Sequence, residues 1–120
     1  MIEGYFNDKG ELFFEMDLVA IDSSIVTVDA LLDTGFTDWL AMNLQDIDNL
    51  GWEYLKKQEK QTAGGIIEFH HYAGTVFFDN QEMTIPVIGS DEFTEVLMGL
   101  QWLDDRLLVV DKKMNRLTLE

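Results

Sequence analysis

Clusters of turn formers cut this chain into short apolar runs, and that punctuation constrains its fold more than any other feature. Asn7-Asp8-Lys9-Gly10, Asp22-Ser23-Ser24, Ala63-Gly64-Gly65, Asp79-Asn80-Gln81-Glu82 and Lys112-Lys113-Met114-Asn115 separate runs rich in Val, Ile, Leu and Phe. Gly, Asn, Asp and Ser supply tight-turn conformations, and β-branched and aromatic residues suit pleated strands. Residues 2–6 and 12–21 read as a hairpin, and residues 25–32 as a strand buried on both faces because apolar residues fill consecutive positions. Residues 66–78 read as the later arm of a long hairpin with a glycine tip, with Ile67, Phe69, His71, Ala73, Thr75 and Phe77 on one parity. Residues 39–42, 83–89, 95–98, 106–111 and 116–119 are further short strands, while 52–62 reads as extended or partly helical. Asn43 looks like an N-cap for a brief helix over 44–50, with Asp46 and Asp48 near its positive end and Gly51 as its stop. Residues 100–105 suit a second short helix. One proline and no Ser/Gly-rich stretch leave no visible linker. The expectation is one mainly β domain over residues 1–120, a barrel or a sandwich with one or two short helices.

Charge narrows the function classes. Eight basic against 23 acidic residues give a formal net charge of −15, which argues against nucleic acid, whose affinity is built from Lys and Arg. No apolar run is long enough for a membrane span. The start Met1-Ile2-Glu3-Gly4 has neither the basic nor the apolar region of a secretory signal. With no cysteine there is neither a disulfide framework nor thiolate chemistry. A cytoplasmic protein without membrane attachment is the expectation.

One stretch carries chemistry. The apolar run ending Val28-Asp29-Ala30-Leu31-Leu32 delivers Asp33 into the turn Asp33-Thr34-Gly35, and Phe36-Thr37-Asp38-Trp39-Leu40 leads away. A lone Asp in a turn usually serves structure, accepting bonds from backbone N–H groups two residues on. Catalysis asks for more. A carboxylate that activates water must be held still, approached closely by backbone, and paired with a second carboxyl so that one acts as acid and the other as base. Gly35 admits a backbone N–H, and Thr34 adds a hydroxyl without bulk. Only one Asp-Thr-Gly exists here. The second carboxylate must come from another Asp of the chain or from a second copy across a two-fold axis, and the short length favours the copy.

Ala30-Leu31-Leu32-Asp33-Thr34-Gly35-Phe36-Thr37 resembles the active-site loop of the retropepsin-like aspartic proteases, above all their small prokaryotic single-domain members. Residues 62–67, centred on Gly64-Gly65, sit where that family has its flap hairpin. Val96-Leu97-Met98-Gly99 is similar to the hydrophobic-hydrophobic-Gly segment of its ψ-shaped loop, and the ending from Val109 through Leu119 also matches. The resemblance implies a closed acid-protease β-barrel with flap hairpin and ψ-loop, and a homodimer hydrolysing a peptide or protein substrate. Asp33, Thr34 and Gly35 would be catalytic, with Asp33 of each copy holding the attacking water and Thr34 bonding to its mate. Phe36, Thr37, Gly64, Gly65, Ile66 and Gly99 would meet the substrate. No cofactor and no metal are implied. Asp38 departs from the glycine frequent in the small prokaryotic members, and Gln101 from their Asp or Asn. The rival reading keeps the fold as a dimerisation or peptide-binding module with weak or no hydrolysis.

Other features read blandly. His70-His71 falls on a strand, where neighbours point to opposite faces and cannot easily share a metal. Trp39, Trp52 and Trp102 read as core or interface, with Trp39 near enough to Asp33 to line a substrate pocket. The serines at 23, 24 and 90 lack a Gly-x-Ser-x-Gly frame, and Gly64-Gly65 lacks the Lys-Ser/Thr of a phosphate loop.

Overall fold

Alternation along β3 (Leu12–Val19) shows how the core is built. Phe14, Met16 and Leu18 are fully buried while Glu15 and Asp17 face outward, the period-two pattern of a half-buried strand. Each such side chain contributes about 1.5–3 kcal/mol through the apolar surface it removes from water. A computed structural model describes all 120 residues, and in it β3 pairs antiparallel with β4 (Ile25–Leu32). Next along the chain come β5 (Leu40–Asn43), β6 (Glu53–Thr62), β7 (Gly65–Phe78), β8 (Gln81–Ser90) and β9 (Val96–Met98). They run in the order β3-β4-β9-β5-β8-β7, and three further pairs between β3 and β7, Asp17 with Phe77 through Val19 with Thr75, close the ring. The molecule is mainly β and its centre is a closed six-stranded barrel.

The expected helix forms as Leu44–Leu50, α1. The Asn43 side chain accepts from the Gln45 N–H, and Gly51 ends the helix in the left-handed region at φ 73°. The second helix is a single short 3-10 segment, Leu100–Leu103. Of residues 52–62, ambiguous in sequence, Glu53–Thr62 form strand β6; it pairs only with β7 and is exposed along nearly its whole length.

Two expectations are corrected. The first hairpin is split: β1 (Ile2–Glu3) leaves it to pair with β11 (Arg116–Leu119), and only β2 (Tyr5–Phe6) pairs with β3. Gly4 is the crossing point, where a side chain would collide with Phe13 O at 2.5 Å and Leu117 Cδ2 at 2.7 Å. β1, β11 and β10 (Leu108–Asp111) make a separate three-stranded sheet. Second, β4 is not buried on both faces. Ile25 and Val26 are 61% and 46% exposed, and burial sets in only at Ala30 and Leu32. β9 reaches only residues Ala30 to Leu32, so the first half of β4 has a partner, β3, on one edge alone.

Candidate active site

The insertion that covers the end of β4 also builds the site. β4 and β5 are successive strands, yet β9 lies between them, parallel to β4 and antiparallel to β5, so Met98 has Leu32 on one side and Leu40 on the other. The loop from Asp33 to Trp39 must therefore arch over the end of β9. Four backbone bonds fasten it there: Asp33 N–H to Met98 O at 2.9 Å, Gly99 N–H to Trp39 O at 2.9 Å, Leu100 N–H to Phe36 O at 2.8 Å, and Gln101 N–H to Asp38 O at 3.4 Å. At Gly99 the two backbones approach so closely that a Cβ would sit 1.8 Å from Asp38 O.

Within the loop, the Asp33 Oδ1 atom accepts the Gly35 N–H at 2.9 Å, and Phe36 N–H closes a turn onto Asp33 O at 3.1 Å. The aspartate is half-buried, while Thr34 and Gly35 are exposed beside it. No other carboxylate of the chain is hydrogen-bonded to Asp33. Asp38 turns to a local task, its Oδ1 accepting from the Trp39 N–H at 2.9 Å.

Asp33 opens into a cleft of about 290 Å³. Gly35 and Phe36 line it from the loop, Ile88, Phe93 and Leu97 from the floor, and Gln58, Lys60, Phe69 and His71 from the β6–β7 hairpin that overhangs it. That hairpin turns through Ala63 and Gly64, between the paired residues Thr62 and Gly65. Phe69 meets Phe93 across the cleft with ring centroids 6.1 Å apart. The mouth is thus apolar and aromatic around one carboxylate, with polar groups supplied from above.

Of the residues singled out in sequence, Asp33, Gly35 and Phe36 come together at this cleft. Thr34 and Thr37 lie exposed on the same loop, and Gly64, Gly65 and Ile66 lie at the hairpin tip rather than in the cleft of this chain. Gly99 is buried beneath the loop, where it admits the Asp38 backbone. Trp39 does not line the cleft; it packs edge-on against Trp102 at 5.0 Å, and its carbonyl accepts the Trp102 Nε1–H at 2.7 Å. Phe69, His71 and Lys60 were missed, although period two from the hairpin tip puts Ile67, Phe69 and His71 on one face and would have found two of them.

The two histidines face opposite ways, as expected for strand neighbours. His70 meets the Tyr54 hydroxyl and Glu68, whereas His71 Nε2 lies 3.1 Å from Gln58 Oε1 inside the cleft. Burial, then the Lys56 ammonium, with smaller contributions from Lys60 and His70, holds the His71 ring below the ordinary 6.5, against an opposing pull from Asp38. The unfolded chain therefore takes up this proton at higher pH than the folded chain. The stabilising contribution is complete above about pH 6.5 and is lost as pH falls through the lower folded-state value. Proton NMR of the His71 ring checks the sign: its midpoint falls below that of the unfolded chain, and a midpoint at or above it contradicts this packing.

No protein-family model matches the chain, and no curated protein matches it. Solved structures do. A retropepsin-like aspartic protease from Rickettsia conorii superposes with a TM-score of 0.65 at 17% identity, covering 98% of this chain and 88% of its own. EIAV protease complexed with an inhibitor superposes with a TM-score of 0.54, also at 17% identity, covering 76% of this chain and 85% of its own. Barrel, inserted strand and overhanging hairpin are one architecture, and this chain has the fold of the retropepsin-like aspartic proteases.

Proposed function

We propose that residues 1–120 form a single aspartic endopeptidase domain, which hydrolyses peptide bonds with a water held between two Asp33 carboxylates at a homodimer interface. The observation that carries this reading is the setting of Asp33. It is clamped by the Gly35 N–H on a loop with four backbone anchors, and it stands at the mouth of an apolar cleft under a hairpin. Such a loop costs nothing to reorganise at the moment of reaction. Exposed Thr34 and Gly35 lie beside the carboxylate, where a second copy would bring its own Asp33 and Thr34. Two carboxyls at hydrogen-bond distance share one proton, the general behaviour of aspartic-protease dyads, so one is base toward water and the other acid toward the peptide. An extended substrate would add as a strand between floor and hairpin, gaining affinity through main-chain hydrogen bonds. Thr37, Gly64, Gly65 and Ile66 belong to this reading as substrate contacts made when hairpins close, and Gly99 as the support beneath the loop. No helix is long and apolar enough to cross a membrane; a cytoplasmic location is part of the same proposal.

Pairing is the step that charge opposes. Two chains of formal net charge −15 repel one another, and salt screens that repulsion over distances of about 10 Å at 0.1 M. Sedimentation is expected to show a dimer that tightens as salt rises. A strict monomer at high protein concentration and high salt, with and without peptide, removes the paired site.

A further inference from the structure

The hairpin over the cleft is the exception to the acidity of this protein. Three of its eight basic residues, Lys56, Lys57 and Lys60, lie on β6. The ladder with β7 sorts them by face, since cross-strand partners share one: Lys56 pairs with His71, Gln58 with Phe69 and Lys60 with Ile67 on one side, Lys57 with His70 and Glu59 with Glu68 on the other. Gln58, Lys60, Phe69 and His71 line the cleft, so the first side is its roof.

Charge is balanced on only one of these faces. Outside, Lys57 lies 3.7 Å from Glu59 and 3.6 Å from Glu68, and His70 lies 3.8 Å from Glu68. Inside, neither Lys56 nor Lys60 pairs with any carboxylate, although carboxylates are abundant in the chain. The Lys60 ammonium is instead held 5.6 Å from the centre of the Phe69 ring, which itself faces Phe93. A cation over an aromatic face keeps its position while still able to meet an anion. The cleft thus offers an aromatic and aliphatic pocket beside Asp33 and an unmatched positive charge above it.

We propose that the substrate is an acidic peptide, with an apolar side chain filling the pocket of Phe36, Phe69 and Phe93 and a neighbouring Asp or Glu meeting Lys60, with Lys56 behind it. This rests on the reading of the cleft as a peptide site. Charge-assisted hydrogen bonds discriminate an ionised carboxylate from the isosteric amide, which lacks the charge. The protein's overall negative field repels such peptides at long range, so the discrimination is local to the roof.

The test uses peptide pairs that differ only by Glu against Gln, or Asp against Asn, beside an apolar residue. Cleavage by the wild type and binding to Asp33→Asn by fluorescence anisotropy are both measured at mildly acidic to neutral pH. The acidic member is expected to be favoured about tenfold, less at high salt. Lys60→Glu reverses the preference, while Lys57→Gln, on the outer face, preserves it. Equal treatment of acid and amide, or a preference that survives Lys60→Glu, overturns the proposal. Cleavage without acid preference overturns it and leaves the peptidase standing. Acid-selective binding without cleavage supports it and removes the peptidase. Neither binding nor cleavage overturns both.

Discussion

On the proposed peptidase reading, Asp33→Asn is expected to keep the barrel folded and to lower peptide cleavage by on the order of 10⁴-fold, the upper range for removing a positioned acid–base group. The amide is isosteric and still presents an oxygen to the Gly35 N–H, so the 2.9 Å bond that shapes the turn survives. It cannot take a proton from water, and in a dimer the substitution removes both members of the pair at once. An unbiased peptide library, with circular dichroism and thermal unfolding alongside, measures both halves of the result. Cleavage that persists moves the chemistry away from Asp33, and a wild type inert toward every peptide favours the binding-module alternative. Because one carboxyl of the pair must stay protonated, wild-type activity is expected to favour acidic to mildly acidic pH. A maximum above neutrality contradicts that assignment.

The second large effect lies beneath the loop. Gly99→Ala places a methyl group 1.8 Å from Asp38 O, 2.7 Å from Asp38 C and 2.9 Å from Phe36 Cδ2. Two of these are backbone atoms, held by the bonds from Gly99 to Trp39 and from Leu100 to Phe36. Loop and inserted strand must separate, at a cost of about 3 kcal/mol, the upper end of ordinary overpacking. Any peptide cleavage at Asp33 is expected to fall with stability, since the same bonds hold Asp33 in place. Gly64→Ala is the matched control: its Cβ meets only Thr62 Oγ1 at 4.0 Å, and its stability stays within about 0.5 kcal/mol of wild type. Urea unfolding of the two variants decides the matter, and a Gly99→Ala midpoint equal to that of Gly64→Ala sinks it.

Local chemistry was legible wherever it is written in adjacent residues. The Asn43 cap, the Gly51 stop, the hairpin turn near Gly64 and the strand on either side of Asp33 all rest on contacts within a few positions. What escaped was set by distant partners. Apolar residues along β4 gave no sign that β9 would reach only its last three, leaving Ile25 and Val26 exposed. Splitting of the first hairpin at Gly4 depends on β11, more than a hundred residues away. In the site, Asp33 and Phe36 could be named from their motif, but Phe93 and Lys60 join them only because the barrel closes and the hairpin folds back. Trp39 misled for the converse reason, since closeness in sequence did not decide which way its ring turns.

Insertion of β9 between β4 and β5 also sets a schedule. During synthesis the strands flanking Asp33 emerge early, but their natural pairing with each other would fill the gap that β9 must occupy. The bonds that hold the loop come from Met98, Gly99, Leu100 and Gln101, well over fifty residues later. Pairings of such long sequence separation form slowly. A nascent chain on the ribosome therefore has its aspartate and its turn long before it has a rigid loop, and the anchored conformation of Asp33 arrives only after most of the chain has been made.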